Sequence, residues 1–247
     1  MTSFSPVNFA SERWLAVVIG NSRCHFALFQ GESLIKTWNT SHFQQRVVNL
    51  PIGEILPVYL ASVVLSQTQL WQDYPLLREI RLSDIPLPGL YPTMGCDRAL
   101  AIWGAIQHYH TPSLVIDAGT ALTFTGASLT RFAGGAILPG LGLQLRSLSQ
   151  QTAALPEVIL PSQLPPRWSD NTSDAIASGI IYTALATIGD FSRDWLQRFP
   201  EGQLLLTGGD GERLLQFLGE AESDLTFRYD PHLAFWGMRS LRQDFSA

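Results

Sequence analysis

Short apolar runs separated by glycine-containing turns dominate the first third of the chain. Trp14–Ile19 is one such run, Gly20-Asn21-Ser22 interrupts it, and Cys24–Phe29 is a second that ends at Gln30-Gly31. Two short apolar segments around a Gly/Asn turn predict a β-hairpin. Leu34–Trp38 reads as a third strand and Val58–Val64 as a fourth, while Gln67–Leu77 mixes apolar and polar residues as a helix does. Beyond a loop carrying Pro86, Pro88, Gly89 and Pro92, Asp97–Tyr109 has helical apolar spacing with Asp and Arg in its first turn. The pattern then restarts: Ser113–Ile116 is apolar, Asp117-Ala118-Gly119-Thr120 is a turn, and Ala121–Thr125 is strand-like. A Gly-rich corner (Gly134-Gly135, Pro139-Gly140) leads into a helical stretch, Leu141–Leu148, and residues 155–166 carry four prolines, as a surface loop would. Asn171–Phe199 is a long helical pattern with Asn171, Thr172 and Ser173 available as caps. Leu204–Thr207 is a strand running into Gly208-Gly209-Asp210, with a helix over Glu212–Leu218, and residues 1–12 read as a floppy start.

The restart is an internal repeat. Leu15–Ser22 aligns with Leu114–Ala121, each an apolar strand, a glycine turn with small hydroxyl or amide residues, and a second strand. The two turn glycines, Gly20 and Gly119, lie close to half a chain apart. This predicts a duplicated α/β unit, divided as 13–112 and 113–247, in which two hairpins face each other across a cleft. Strand–Gly–strand is common in α/β proteins, so coincidence also accounts for the repeat taken alone.

Composition narrows the function. The chain has 247 residues, 46% of them hydrophobic and 15% charged, enough apolar residue for a sizeable core. With 16 basic and 21 acidic residues and no Lys/Arg block, bulk electrostatic binding to nucleic acid or a membrane surface is disfavoured. The longest apolar runs fall short of the roughly 20 residues that span a bilayer. Met1–Ser11 lacks the charged-then-apolar pattern of a signal peptide, so a cytoplasmic location is expected. Two cysteines form neither a disulfide framework nor a zinc set, and the five histidines lack metalloprotease spacing.

The glycine turns carry the candidate chemistry. Gly20-Asn21-Ser22 and Gly119-Thr120 can offer backbone N–H groups and small polar side chains to phosphate oxygens, although an ordinary hairpin turn uses the same residues. Gly208-Gly209-Asp210 is either a third ligand-facing turn or a plain strand-to-helix turn. Gly95-Cys96-Asp97-Arg98 puts an acid and a guanidinium at a helix start. Asp97 is therefore either a macrodipole-favoured residue or a proton acceptor for a substrate hydroxyl, with Arg98 pairing an anionic group. Asp117 follows three apolar residues, and a buried carboxylate demands a cation or donors nearby. Cys24 and Cys96 read as small packing residues, and His25 as structural or ligand-adjacent. Neither a Walker P-loop nor G-x-G-x-x-G is present.

Taken in order, Ile19-Gly20-Asn21-Ser22, Gly95-Cys96-Asp97-Arg98, Asp117-Ala118-Gly119-Thr120-Ala121, Gly134–Gly140, Asn171-Thr172 and Thr207-Gly208-Gly209 resemble the type III pantothenate kinases, of the acetate kinase/sugar kinase/Hsc70/actin superfamily. The resemblance runs from about Leu15 to Gly237. It implies duplicated ribonuclease-H-like (actin-like ATPase) α/β domains with mixed sheets flanked by helices. It also implies ATP-dependent phosphorylation of pantothenate to 4′-phosphopantothenate, the first step of coenzyme A synthesis. Mg²⁺ with ATP, a monovalent cation (K⁺ or NH₄⁺) and a homodimer with the substrate site near its interface are further implications.

Carried onto this sequence, the resemblance makes Ile19, Gly20, Asn21, Ser22, Arg23, Cys24 and His25 the ATP phosphate loop, with Thr120 a further ATP contact. Asp97 becomes the proton acceptor. Tyr91, Gly95, Cys96, Arg98 and Thr172 contact pantothenate, Thr172 across the dimer interface, and Asp117 ligates the monovalent cation. Two positions depart from the pattern. The first motif of the family begins with Asp where this chain has Val18, and a later Thr/Ile-Asp is here Thr125-Gly126. A carboxylate at the first position positions the nucleotide's magnesium, an electrostatic contribution of several kcal/mol. Its loss leaves three readings open: magnesium held by water and ATP alone, another carboxylate in its place, or a weak or inactive nucleotide- or pantothenate-binding regulatory protein on the same fold.

Overall fold

The computed structural model describes residues 12–48, 53–221 and 224–244; the N-terminal segment expected to be floppy lies outside them up to Ser11. Ten strands form two five-stranded mixed sheets. The first contains β1 (Arg13–Ile19), β2 (Cys24–Gln30), β3 (Ser33–Thr40), β4 (Val58–Ser62) and β5 (Leu77–Glu79), in the order β3-β2-β1-β4-β5. The second contains β6 (Ser113–Ala118), β7 (Ala121–Ala127), β8 (Phe132–Pro139), β9 (Gln203–Thr207) and β10 (Phe227–Tyr229), in the order β10-β9-β6-β7-β8.

Read from the opposite edge, the second order is that of the first. In each sheet the first three strands run as an antiparallel meander, and the fourth and fifth join parallel to the first. The repeat in the sequence is thus a repeat of topology, the duplicated ribonuclease-H-like arrangement. Strands β1 and β6 are central and buried on both faces, so they read as continuous apolar runs rather than as an alternation.

Two compact units divide the chain. One comprises the described parts of Met1–Pro86, Leu90–Gln107 and Ala234–Ala247; the other comprises Leu87–Gly89 and His108–Leu233. In the first, Leu15, Val17, Ile19, Phe26, Leu60 and Trp71 share one core. The short helix α1 (Leu65–Gln69) and α2 (Cys96–Tyr109) also begin in this part of the chain. In the second, Ile116, Phe124, Leu206 and Phe217 pack with residues of α4 (Thr172–Arg198) such as Ile181 and Ile188. Helices α3 (Leu141–Gln151) and α5 (Gly211–Glu220) complete it.

Four features differ from the sequence reading. The helix expected over Gln67–Leu77 is only α1, followed by turns and by β5. The Gly-rich corner is strand β8, whose Gly134 and Gly135 pair with Gly126 and Thr125. Strand β10 and the last helix, α6 (Leu233–Asp244), were not anticipated. Finally, α6 joins the first unit from Ala234 onward rather than the half beginning at residue 113. Trp236 meets Phe29 edge-on, and the Arg242 guanidinium lies over the Trp14 ring while bonding Glu12 at 2.6 Å. Helix α4 is long and apolar enough to cross a membrane, but most of its large apolar residues, among them Ile176, Ile181, Ile188 and Trp195, are buried in the second core. It is a core helix.

Candidate active site

In the first unit, two chain segments meet at the ends of the parallel strands. The β1–β2 turn closes when the Gly20 N–H donates to Arg23 O at 3.0 Å, and His42 Nε2 lies 2.9 Å from Gly20 O. Just beyond β4, the Val63 N–H bonds Ile19 O at 3.0 Å. Val63 in turn flanks Gly95: a Cβ at Gly95 would stand 3.6 Å from Val63 Cγ1. The start of α2 therefore lies at the same sheet end as the Gly20 turn.

Asp97 sits in the first turn of α2, its Oδ1 accepting the Arg98 N–H at 2.8 Å. Any side chain at Gly95 would collide with that oxygen, at 2.6 Å, so glycine is what lets the carboxylate fold back on the helix start. Burial pushes the Asp97 carboxyl above its ordinary value, opposed by the hydrogen bond and charge of Arg98. Arg98 is itself buried at 9% exposure, and its Nη1 donates to the Tyr91 hydroxyl at 3.2 Å. Tyr91, Asp97 and Arg98 thus form one group, with Tyr91 on its exposed side.

Cys96 turns away from this group, its Sγ toward Ile80 O at 3.5 Å. Burial, and then the charges of Asp97, Asp84 and Glu79, push its thiol up to about 12, which leaves an inert packing residue. Cys24 and Ile19 are core residues, so only their backbone can face a ligand; Asn21, Ser22, Arg23 and His25 are exposed.

The second unit presents the matching hairpin. Asp117, next to last in β6, pairs with Thr123 of β7 and Thr207 of β9. Gly208 adopts φ +86°, and a Cβ there would lie 2.3 Å from Asp117 Oδ1 and 2.6 Å from Ala118 O. The turn after β9 therefore closes over the Asp117 carboxylate as only glycine allows. The Asp210 N–H bonds Ala118 O at 2.9 Å. Burial raises the Asp210 carboxyl, against the pull of Arg213. Thr123 Oγ1 is buried without a hydrogen-bond partner, directly opposite Asp117. An orphaned buried hydroxyl beside a carboxylate suits a cation held by oxygen ligands. Thr120 is exposed at the turn.

Thr172 opens α4, capped by Asn171 Oδ1 accepting from the Asp174 N–H at 3.0 Å. It borders an open groove of about 520 Å³ with Leu155, Ser169, Asp170 and Ala175. Thr123, Asn39 and His42 were not singled out from the sequence. Their roles depend on strand register and loop closure, which no local motif announces.

Duplicated sheets of this topology, with glycine turns ending both first strands and an acid–guanidinium pair at a helix start, define a duplicated ribonuclease-H-like α/β fold. Two solved structures share it over 94% of this chain. A Campylobacter jejuni protein named for the Baf family of transcriptional activators superposes with TM-score 0.65 at 21% identity over 98% of its own chain. A Sinorhizobium meliloti protein named as a 2-dehydro-3-deoxygalactonokinase gives TM-score 0.57 at 13% identity over 99% of its chain. The sequence is closer still to named relatives. It is 45% identical to the type III pantothenate kinase of Nostoc sp., with 98% of each chain covered. It is 46% identical to that of Thermosynechococcus vestitus, over 94% of this chain and 91% of the relative. The type III pantothenate kinase family model matches residues 14–194. The chain belongs to the type III pantothenate kinase family.

Proposed function

We infer that the protein transfers the γ-phosphoryl group of ATP to pantothenate, giving 4′-phosphopantothenate, the first step of coenzyme A synthesis. One observation carries the assignment of roles: Asp97 is a half-buried carboxylate held at a helix start, with a buried guanidinium joined to an exposed phenol beside it. In the proposed step, Asp97 accepts the proton of the pantothenate primary hydroxyl while that oxygen attacks the γ-phosphorus. The bond to the β-phosphate oxygen breaks and ADP leaves. Arg98 binds the pantothenate carboxylate, with Tyr91 fixing the guanidinium; the backbone at Gly95 and Cys96, and Thr172, add orienting contacts.

ATP enters as its magnesium complex. The Gly20-Asn21-Ser22 turn, with Arg23 and His25, and Thr120 on the second hairpin, bind its phosphates through backbone N–H groups and polar side chains. A monovalent cation, K⁺ or NH₄⁺, would be held by Asp117 with the Thr123 hydroxyl and supply positive charge to the phosphates. The active form is proposed to be a cytoplasmic homodimer, with the Thr172 groove and the exposed Trp168 beside it facing the partner.

The test is ADP release from ATP in the presence of Mg²⁺ and K⁺, with and without pantothenate. Pantothenate-dependent ADP formation is expected. Binding of both substrates without ADP formation would leave a regulatory protein on the same fold, and turnover independent of pantothenate would assign another acceptor.

A further inference from the structure

The two duplicated hairpins differ in charge at the same structural position. In the second, the next-to-last residue of the first strand is Asp117, between Thr123 and Thr207. In the first it is Val18, between His25 on β2 and Ala61 on β4. Directly opposed residues share one face of a sheet. Val18, His25 and Asn39, which pairs with His25, therefore form a row across it. At its Trp14 end this face is covered by α6, whereas His25 at the other end is exposed. Neither residue paired with Val18 offers an oxygen atom from its side chain, and a hard divalent cation needs oxygen ligands. Among the described residues, moreover, three His, Cys, Asp or Glu side chains nowhere come together to hold a metal ion. What this hairpin does carry is a cation. Arg23 closes the turn through its carbonyl, and its exposed guanidinium is tethered by Nη1 donating to Asn39 Oδ1 at 2.7 Å.

We propose that Arg23, positioned by Asn39, binds the nucleotide's phosphates directly, so that the first hairpin takes ATP as an anion without a metal ion held by its own side chains. The inference rests on the reading of the Gly20-Asn21-Ser22 turn as the phosphate loop and goes beyond it in naming the charge. A guanidinium with one N–H fixed on Asn39 keeps further N–H groups for phosphate oxygens. Arg23 and the turn amides then do at the first hairpin what metal charge does elsewhere in the site.

Equilibrium binding of ATP, measured by calorimetry with Mg²⁺ and again in excess EDTA, tests this. The wild-type protein should bind metal-free ATP within about 10-fold of its affinity for the magnesium complex. Arg23→Gln should weaken binding about 10- to 100-fold under both conditions, the range for losing a hydrogen bond to a charged group. Arg23→Lys should recover part of the loss, and Asn39→Ala should fall between. Because Arg23 is exposed, the variants should melt as the wild type does. Unchanged affinity in Arg23→Gln, or loss of wild-type binding in EDTA, overturns the proposal. If the wild type shows no ATP binding even with Mg²⁺ and releases no ADP with pantothenate, the kinase reading itself fails, a different and separately visible result.

Discussion

Val18 and Asp117 occupy equivalent positions in the duplicated sheets, each next to last in a central strand, each paired to one antiparallel and one parallel neighbour. One is an apolar side chain at 7% exposure; the other is a carboxylate closed over by Gly208. Val18→Asp would put a second carboxylate on the face that carries His25 and lies beside Arg23. Binding of metal-free ATP should then weaken by about 10-fold or more through like-charge repulsion, while binding of the magnesium complex changes less. Titrating Mg²⁺ against ATP affinity in both proteins checks this; equal sensitivity of the two would contradict it.

Asp97→Asn keeps an oxygen to accept the Arg98 N–H but removes the base. Turnover should fall about 10²- to 10⁴-fold, with the fold retained. The folded-state carboxyl lies above its ordinary value because of burial. Two consequences follow from that sign. The acid limb of kcat/KM, which tracks ionisation of the base, should lie above the ordinary aspartate range. The stability linked to this group is present below the unfolded pKa and lost as pH rises through the folded one, so the ionised form is a burden at neutral pH. Asp97→Asn should therefore melt at the same temperature or higher at pH 7, and a clear drop in Tm would contradict the burial argument.

Thr123→Val removes a buried hydroxyl that has no protein partner while keeping the shape of the side chain. Stability without K⁺ should be unchanged or slightly raised, since no hydrogen bond is lost. The concentration of K⁺ needed for half-maximal activity should rise several-fold. Melting curves in K⁺ and in a large organic cation separate the two effects: K⁺ should stabilise the wild type more than the variant.

Much of this architecture is legible in the sequence, because the fold is built twice from the same signals. Both hairpins, the start of α2 with Asp97 and the Asn171 cap of α4 are local patterns, and each appears where spacing predicts it. Strand β8 escaped because Gly134 and Gly135 imitate a turn, while the strand is held by its pairing with β7. Strand β10 is only three residues long, and α6 packs against distant residues such as Trp14 and Phe29. Within the site, the Arg23–Asn39 bond and the Asp117–Thr123 pair depend on register between strands, which hydrophobic patterning leaves open.

The Thr125-Gly126 departure from the family pattern has a packing cause. A Cβ at Gly126 would stand 2.5 Å from Cζ3 of Trp195, a buried residue of the α4 core. Restoring the acid with Gly126→Asp would push the indole aside and bury a charge beside it. Overpacking alone costs about 1–3 kcal/mol, and the unpaired carboxylate adds to that. Urea denaturation should show a loss of at least that size, together with increased exposure of the Trp195 fluorescence. An unchanged midpoint would mean the core yields more readily than its packing indicates.

Tyr109 and Asp230 join two distant parts of the second unit. The Tyr109 hydroxyl donates to Asp230 Oδ2 at 2.8 Å, and the His232 N–H donates to Oδ1 at 2.8 Å, so the buried carboxylate is bonded at both oxygens. The Arg228 guanidinium lies over the phenol ring at 5.1 Å. Tyr109→Phe leaves one carboxylate oxygen short of a donor in a largely desolvated place, and about 1–3 kcal/mol of stability should be lost at pH 7. Burial, then the hydrogen bond and charge of Asp230, push the Tyr109 phenol up to about 12. With the folded pKa above the unfolded one, this contribution is complete below about pH 10, the ordinary tyrosine value, and disappears as pH rises through about 12. The stability gap between wild type and Tyr109→Phe, followed by denaturant midpoint, should therefore be constant through neutral pH and narrow only above about pH 10. A gap that does not narrow above about pH 10 would contradict the raised phenol.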